Sequence, residues 1–250
     1  MTNKFKYIVA NWKMYGDHKT VKTLKKVIHF QKSNKSKKVK IIYCPPFTLL
    51  NSFFNVLKKT NIEIGAQNCH YKENNGPYTG FISSNMIKKI GCKYVIIGHS
   101  ECRAEGDTND KINKKIKSSI ENNLKILFCI GESLNEKKRN QTNKVLKNQI
   151  SKGLIGINRK NHILFAYEPI WSIGTGIIPK IFDLDQDIKY IKNFLSKKIR
   201  IKNPKVLYGG SVNHKNIVDL KKINAIDGFL IGGASHKTKK FIDIIKKTFN

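Results

Sequence analysis

Arginine is scarce in this chain: of its 48 basic residues, only Arg103, Arg139, Arg159 and Arg200 are not lysine. Base readout and phosphate forks draw on arginine's planar guanidinium. The scarcity therefore counts against sequence-specific nucleic-acid binding, although the formal charge is +31. The lysines stand in pairs along the whole chain rather than in one stripe, which reads as a solvated surface with no specific nucleic-acid partner. Long apolar runs are missing as well. No window approaches the roughly 18 apolar residues of a membrane helix, and the opening MTNKFKYIVANWKM enters a strand pattern without signal-peptide architecture. A soluble, cytoplasmic protein with no membrane partner is expected. The five cysteines (Cys44, Cys69, Cys92, Cys102, Cys129) are odd in number and scattered, with no Cys-x-x-Cys pair. Reduced, mostly buried thiols are the expectation, rather than disulfides or a metal site. No G-x-G-x-x-G follows the first strand pattern and no serine sits in a nucleophile elbow. No cofactor and no metal are called for.

The 250 residues, 40% of them hydrophobic, suffice for one α/β barrel or two small domains. A short β-rich apolar run followed by a lysine-rich segment of helical periodicity recurs along the chain. The runs are YIVAN, KIIYC, IEIGAQ, YVIIGH, KILFCI, ILFAYE, KVLYGG and DGFLIGG, separated by segments such as TVKTLKKVIHF, DKINKKIKSSIEN and DIKYIKNFLSKKI. This alternation implies parallel strands joined by crossover helices. About eight such units predict an α/β fold with a single (β/α)8 barrel of eight parallel strands ringed by helices, one domain over residues 1–250. A doubly wound open sheet is the alternative.

Barrel active sites lie at the carboxyl ends of strands. That rule selects Asn11 and Lys13, His99 and Glu101, Glu168, Gly209 to Ser211, and Gly232 with Gly233. Glycine pairs after the last two strands are tight turns or phosphate seats. Occurring together at those two ends, they favour phosphate. A carboxylate (Glu168) and a histidine (His99) facing a small phosphorylated ligand suit proton transfer next to a carbonyl. Lys13 is open to three readings: a Schiff-base lysine, a surface cation or an electrostatic partner of the anion. The stretch YEPIWSIGTGIIP at 167–179 combines a fixed torsion at Pro169, apolar anchors at Ile170 and Trp171, and pliable Gly174 and Gly176. That is the composition of a lid with hinges.

The chain resembles the triosephosphate isomerase family. The motifs are NWKM at 11–14, GAQN at 65–68, YTG at 78–80, GHSE at 98–101, CIGE at 129–132, YEPIWSIGTG at 167–176, YGGSV at 208–212 and GGAS at 232–235. The resemblance implies the barrel and the interconversion of dihydroxyacetone phosphate and D-glyceraldehyde 3-phosphate through an enediolate. It also implies a homodimer held through the loop carrying Thr79. Under it Glu168 is the base and His99 the neutral electrophile, with Asn11 and Lys13 completing the catalytic and substrate-binding set. Glu101 and Ser100 support the site, and Ile173 and Leu230 press on Glu168. Gly174, Ser211, Gly232 and Gly233 hold the phosphate.

Three departures from the family pattern carry expectations of their own. Ile177, Ile178 and Pro179 replace the usual second hinge. Pro179 lacks the backbone N–H that the family offers to the hydroxyl matching Tyr208. Closure is therefore expected to rest on Ser211 with Gly176, and Tyr208 to be dispensable. Phe81 and Cys102 replace a glutamate and an arginine that bridge the subunits in the family. Losing both charges together is tolerable, so the dimer is expected to persist.

Overall fold

In the computed structural model, which describes residues 6–33 and 39–249, all eight apolar runs form strands. They are β1 (Lys6–Asn11), β2 (Val39–Cys44), β3 (Glu63–Ala66), β4 (Tyr94–Ile97), β5 (Lys125–Ile130), β6 (Ile163–Tyr167), β7 (Lys205–Tyr208) and β8 (Gly228–Ile231). Each strand runs parallel to its neighbours in sequence order, and β8 pairs with β1 to close the barrel. The expected (β/α)8 architecture is present, and the open sheet is excluded.

The strands alternate between two cores, as their two-residue period requires. Val9, Ile42, Tyr94, Ile96, Leu127, Cys129, Leu164, Ala166, Leu207 and Leu230 meet inside the barrel. Ile8, Ala10, Ile126, Phe128, Phe165 and Phe229 face outward to the helical layer. The helices are amphipathic in the matching sense. The helix Ile181–Lys197 buries Leu184, Ile188, Ile191 and Leu195, one stripe at three- and four-residue spacing. The helix Asn109–Glu121 starts where Thr108 Oγ1 accepts the Lys111 N–H, and it buries Ile112, Ile116 and Ile120 on one face. Among the described residues, no helix is long and apolar enough to cross a membrane.

The alternation also aims the site. Continuing the inward parity by one step puts Asn11, Glu168, Gly209 and Gly232 at the mouth of the barrel, above Val9, Ala166, Leu207 and Leu230. At β3 the inward position is Gly65. A Cβ there would lie 2.9 Å from Tyr94 Cβ and 3.0 Å from Cys44 Sγ, so the missing side chain makes room for the buried tyrosine. Gly65→Ala is expected to lose about 1–3 kcal/mol of stability through overpacking. Its melting temperature should fall by several degrees while the kinetics of the folded enzyme stay near wild type.

Candidate active site

The barrel mouth opens into a cavity of ≈ 250 Å³. Asn11, Lys13, His99, Glu168, Ile173, Gly174, Ser211, Leu230, Gly232 and Gly233 all contribute to its wall, so the structure brings these sequence-selected residues together. Glu101 reaches the site indirectly, through a 2.6 Å ion pair from its Oε1 to Lys13 Nζ. Ser100 lies outside the main wall, against a small recess shared with Glu168. Val212, Asn213 and Ala234 also line the cavity and were not singled out in the sequence. Their positions next to the glycine pairs were the available signal.

Glu168 is 3% exposed, and among the described residues its Oε2 has no hydrogen-bond partner. Its Oε1 lies 3.6 Å from His99 Nε2. Burial raises the Glu168 pKa above the ordinary glutamate value of 4.5, opposed by His99, then by the Cys129 thiol and Lys13. Room for this side chain comes from Gly209, where a Cβ would sit 2.6 Å from Glu168 Cγ. The strand holds its backbone: Glu168 N–H donates to the Ile130 carbonyl at 2.8 Å, and Gly209 N–H donates to Tyr167 O at 2.8 Å.

His99 caps the short helix Ser100–Ala104, accepting the Glu101 N–H on Nδ1 at 3.2 Å. A ring nitrogen that accepts carries no proton. The neutral imidazole therefore has its hydrogen on Nε2, the nitrogen that faces Glu168. The same local turn thus sets both the orientation and the tautomer of the histidine.

Lys13 stands at φ +54°, in the left-handed region that a bulky residue adopts only under constraint. Its N–H donates to Asn11 Oδ1 at 3.1 Å, and its carbonyl accepts Gln67 Nε2 at 2.9 Å. Gln67 also donates to the Cys44 carbonyl at 2.8 Å, tying the loop after β1 to the end of β2. Gln67 lay within a quoted motif but had no role attached to it, because only the fold shows what it bridges.

The lid lies over the cavity, with Ile173, Gly174 and Gly176 in its wall. Its first turn, Ile170–Ser172, is anchored by Trp171 Nε1, which donates to Glu132 Oε1 at 2.9 Å. Glu132 is buried and also accepts the Tyr167 hydroxyl, at 3.2 Å to Oε2. Burial again raises its pKa, with the Trp171 donor opposing. The expected contact between Ser211 and Gly176 is present, with Gly176 N–H donating to Ser211 Oγ at 3.0 Å. Tyr208, left without its family donor at Pro179, has another contact: its Oη lies 2.9 Å from Ser172 Oγ, a residue of the lid. The donor lost at Pro179 is visible in the residue order, whereas the hydroxyl that meets the tyrosine is set by the fold.

A closed (β/α)8 barrel with a buried carboxylate, a neutral histidine and paired glycines after its last two strands defines a phosphate-handling, proton-transferring enzyme. The family model described as Triosephosphate isomerase matches residues 6–248. A triosephosphate isomerase from Dictyoglomus thermophilum is 43% identical over 253 aligned residues, covering 96% of this chain and 98% of the relative. One from Thermodesulfovibrio yellowstonii is 42% identical over 248, with the same coverage. The crystal structure of triosephosphate isomerase from Bartonella henselae superimposes with a TM-score of 0.89 at 32% identity, covering 98% of this chain and 99% of that one. The chain belongs to the triosephosphate isomerase family and is an isomerase.

The raised Glu168 pKa has a consequence for stability. A buried carboxylate with a raised folded-state pKa favours folding below its unfolded value, and this contribution is lost as pH rises through the folded value. Glu168→Gln should therefore melt above wild type at pH 7–8, where the ion is buried. The difference should shrink towards zero below about pH 4, where the glutamate is protonated in both states. Thermal melts of both proteins across this range check the sign.

Proposed function

We propose that the chain interconverts dihydroxyacetone phosphate and D-glyceraldehyde 3-phosphate, with Glu168 as the base and His99 as the electrophile. The observation that carries this reading is the facing pair in one small cavity: a buried carboxylate whose Oε1 lies 3.6 Å from His99 Nε2, with its Oε2 unpartnered among the described residues. Glu168 takes a proton from the carbon next to the carbonyl. The C–H electrons form the new C=C bond, and the carbonyl oxygen gains negative charge as an enediolate. His99 donates from Nε2 to that oxygen and recovers a proton from the neighbouring hydroxyl. Glu168 returns its proton to the adjacent carbon, completing the exchange of aldehyde and ketone. Poor solvation strengthens the carboxylate as a base.

Asn11 adds a hydrogen bond to the oxyanion. Lys13 places a positive charge beside it, with Glu101 holding the ammonium and Ser100 supporting the same loop. Of the three readings of Lys13, its ion pair and its place in the cavity wall favour the electrostatic one. Gly174, Ser211, Gly232 and Gly233 seat the phosphate, and backbone N–H groups suit a dianion at close approach. Ile173 and Leu230 exclude water over Glu168, which protects the enediolate from eliminating its phosphate. No cofactor or metal enters this scheme.

The proposal extends to a single domain over residues 1–250 and to a homodimer. Supporting the dimer, Met14 is 94% exposed and Phe81 is 62% exposed, with Tyr15, Tyr78 and Met86 also open. Large apolar side chains left in water suit a partner surface. The loop carrying Thr79 is the proposed insertion, and Phe81, packed on His70 at 4.7 Å, replaces the lost charge pair near Cys102. Cytoplasmic location is proposed with it, in keeping with five free thiols, four of them buried.

A coupled assay from glyceraldehyde 3-phosphate tests the reaction. Wild type should turn over rapidly, and Glu168→Asp, whose carboxylate falls about 1 Å short, should lose roughly a hundredfold or more in kcat while staying folded. Equal rates would remove Glu168 from its role. Light scattering at micromolar concentration should give twice the mass of one chain, and a clean monomer would sink the dimer.

A further inference from the structure

We infer that Ser172 latches the lid in this chain: its hydroxyl joins the lid's first turn to its second hinge and to Tyr208, and so holds the closed geometry in which Glu168 works. This rests on the proposed proton-transfer reading and adds a positioning residue to it.

Three facts force the arrangement. Pro179 has no N–H, so the second hinge offers no backbone donor at that point. Tyr208 is fully buried, and a buried phenol without an acceptor is costly. Ser172 is fully buried too, so no solvent stands ready to replace its contacts.

The direction of each bond follows from counting. A serine hydroxyl has one proton and two lone pairs. Ser172 Oγ lies 2.6 Å from the Ile177 carbonyl, which can only accept, so the serine proton is committed there. Tyr208 must then donate to Ser172 Oγ, across 2.9 Å. The second lone pair faces the Ser211 N–H at 3.3 Å. Every slot of the hydroxyl is used.

A second strap meets the same residue through its backbone. Ser211 Oγ donates to the Ser172 carbonyl at 2.7 Å while accepting the Gly176 N–H. The lid is thus tied at both ends to the loop after β7, and both ties pass through Ser172. Gly210 marks how closely the parts fit, since a Cβ there would collide with both Tyr208 Oη and Ser172 Oγ.

Ser172→Ala removes the side-chain strap and leaves the backbone strap in place. It also strands the Tyr208 hydroxyl in a buried site. A lid that closes less firmly lowers kcat and lets the enediolate lose its phosphate to elimination. A defect in folding alone would change the amount of active protein but not this partition.

The test compares wild type with Ser172→Ala, Tyr208→Phe and the double variant. It reads kcat, KM and the inorganic phosphate released per isomerisation. Each single variant should lose about tenfold or more in kcat, with a smaller change in KM and more phosphate released per turnover. The double variant should be no worse than the poorer single, because both substitutions cut one strap. Wild-type kcat and phosphate release in Ser172→Ala would overturn the inference, and so would losses that add in the double variant. Should Ser172→Ala fail to fold, Tyr208→Phe carries the decision: unchanged phosphate release in it rejects the latch. If wild type itself does not isomerise, the reading of the reaction fails instead.

Discussion

Glu168 keeps its carboxylate where burial disfavours the charge, with Oε2 lacking a partner and Oε1 facing His99 at 3.6 Å. An ion in that position is a stronger base and a thermodynamic burden at once. The surrounding structure is organised to hold it there. β6 delivers it on the inward parity of the barrel, Gly209 gives it room, and the Glu101 N–H donated to Nδ1 orients the facing His99 ring. A protonated His99 would pair with the carboxylate and weaken it as a base.

The lid completes the same condition. Ile173 of the lid and Leu230 of β8 both line the cavity with apolar atoms. The hydroxyls of Ser172, Tyr208 and Ser211 bind the lid to the loop after β7, and Trp171 binds it to the buried Glu132. These polar contacts are short and buried or part-buried, so water screens them less than it would at the surface. Two buried carboxylates with raised pKa values, Glu168 and Glu132, flank the first hinge. The lid is therefore anchored on one buried carboxyl group while it covers another.

The basic surface stands apart from this chemistry. A few lysines pair with acids one helical turn away, as Lys114 does with Asp110 at 2.8 Å and Lys189 with Asp185 at 2.6 Å. Such exposed pairs contribute little each. Within the cavity wall the lysine is Lys13, and it is held by Glu101 and by an unusual backbone turn. Salt at cellular strength screens the remaining positive field over about 8 Å.

The barrel was legible in the amino-acid order because its signals are local. Eight apolar runs, a period of two in the strands and of 3.6 in the helices, and glycines after the last two strands all lie within short windows. Strand parity alone aims Asn11, Glu168 and Gly232 at the mouth. Tyr208 shows where such reasoning stops. Its lost partner at Pro179 can be counted from Glu168, but its new partner, Ser172, is 36 residues away in sequence. Gln67 bridging Lys13 to Cys44, and the unpartnered oxygen of Glu168, are invisible in the same way. Residue order sets which groups are present and which way each strand points them. Only the closed barrel decides which hydroxyl donates to which acceptor and which charge is denied water, because those depend on distances across the mouth between segments far apart in the chain.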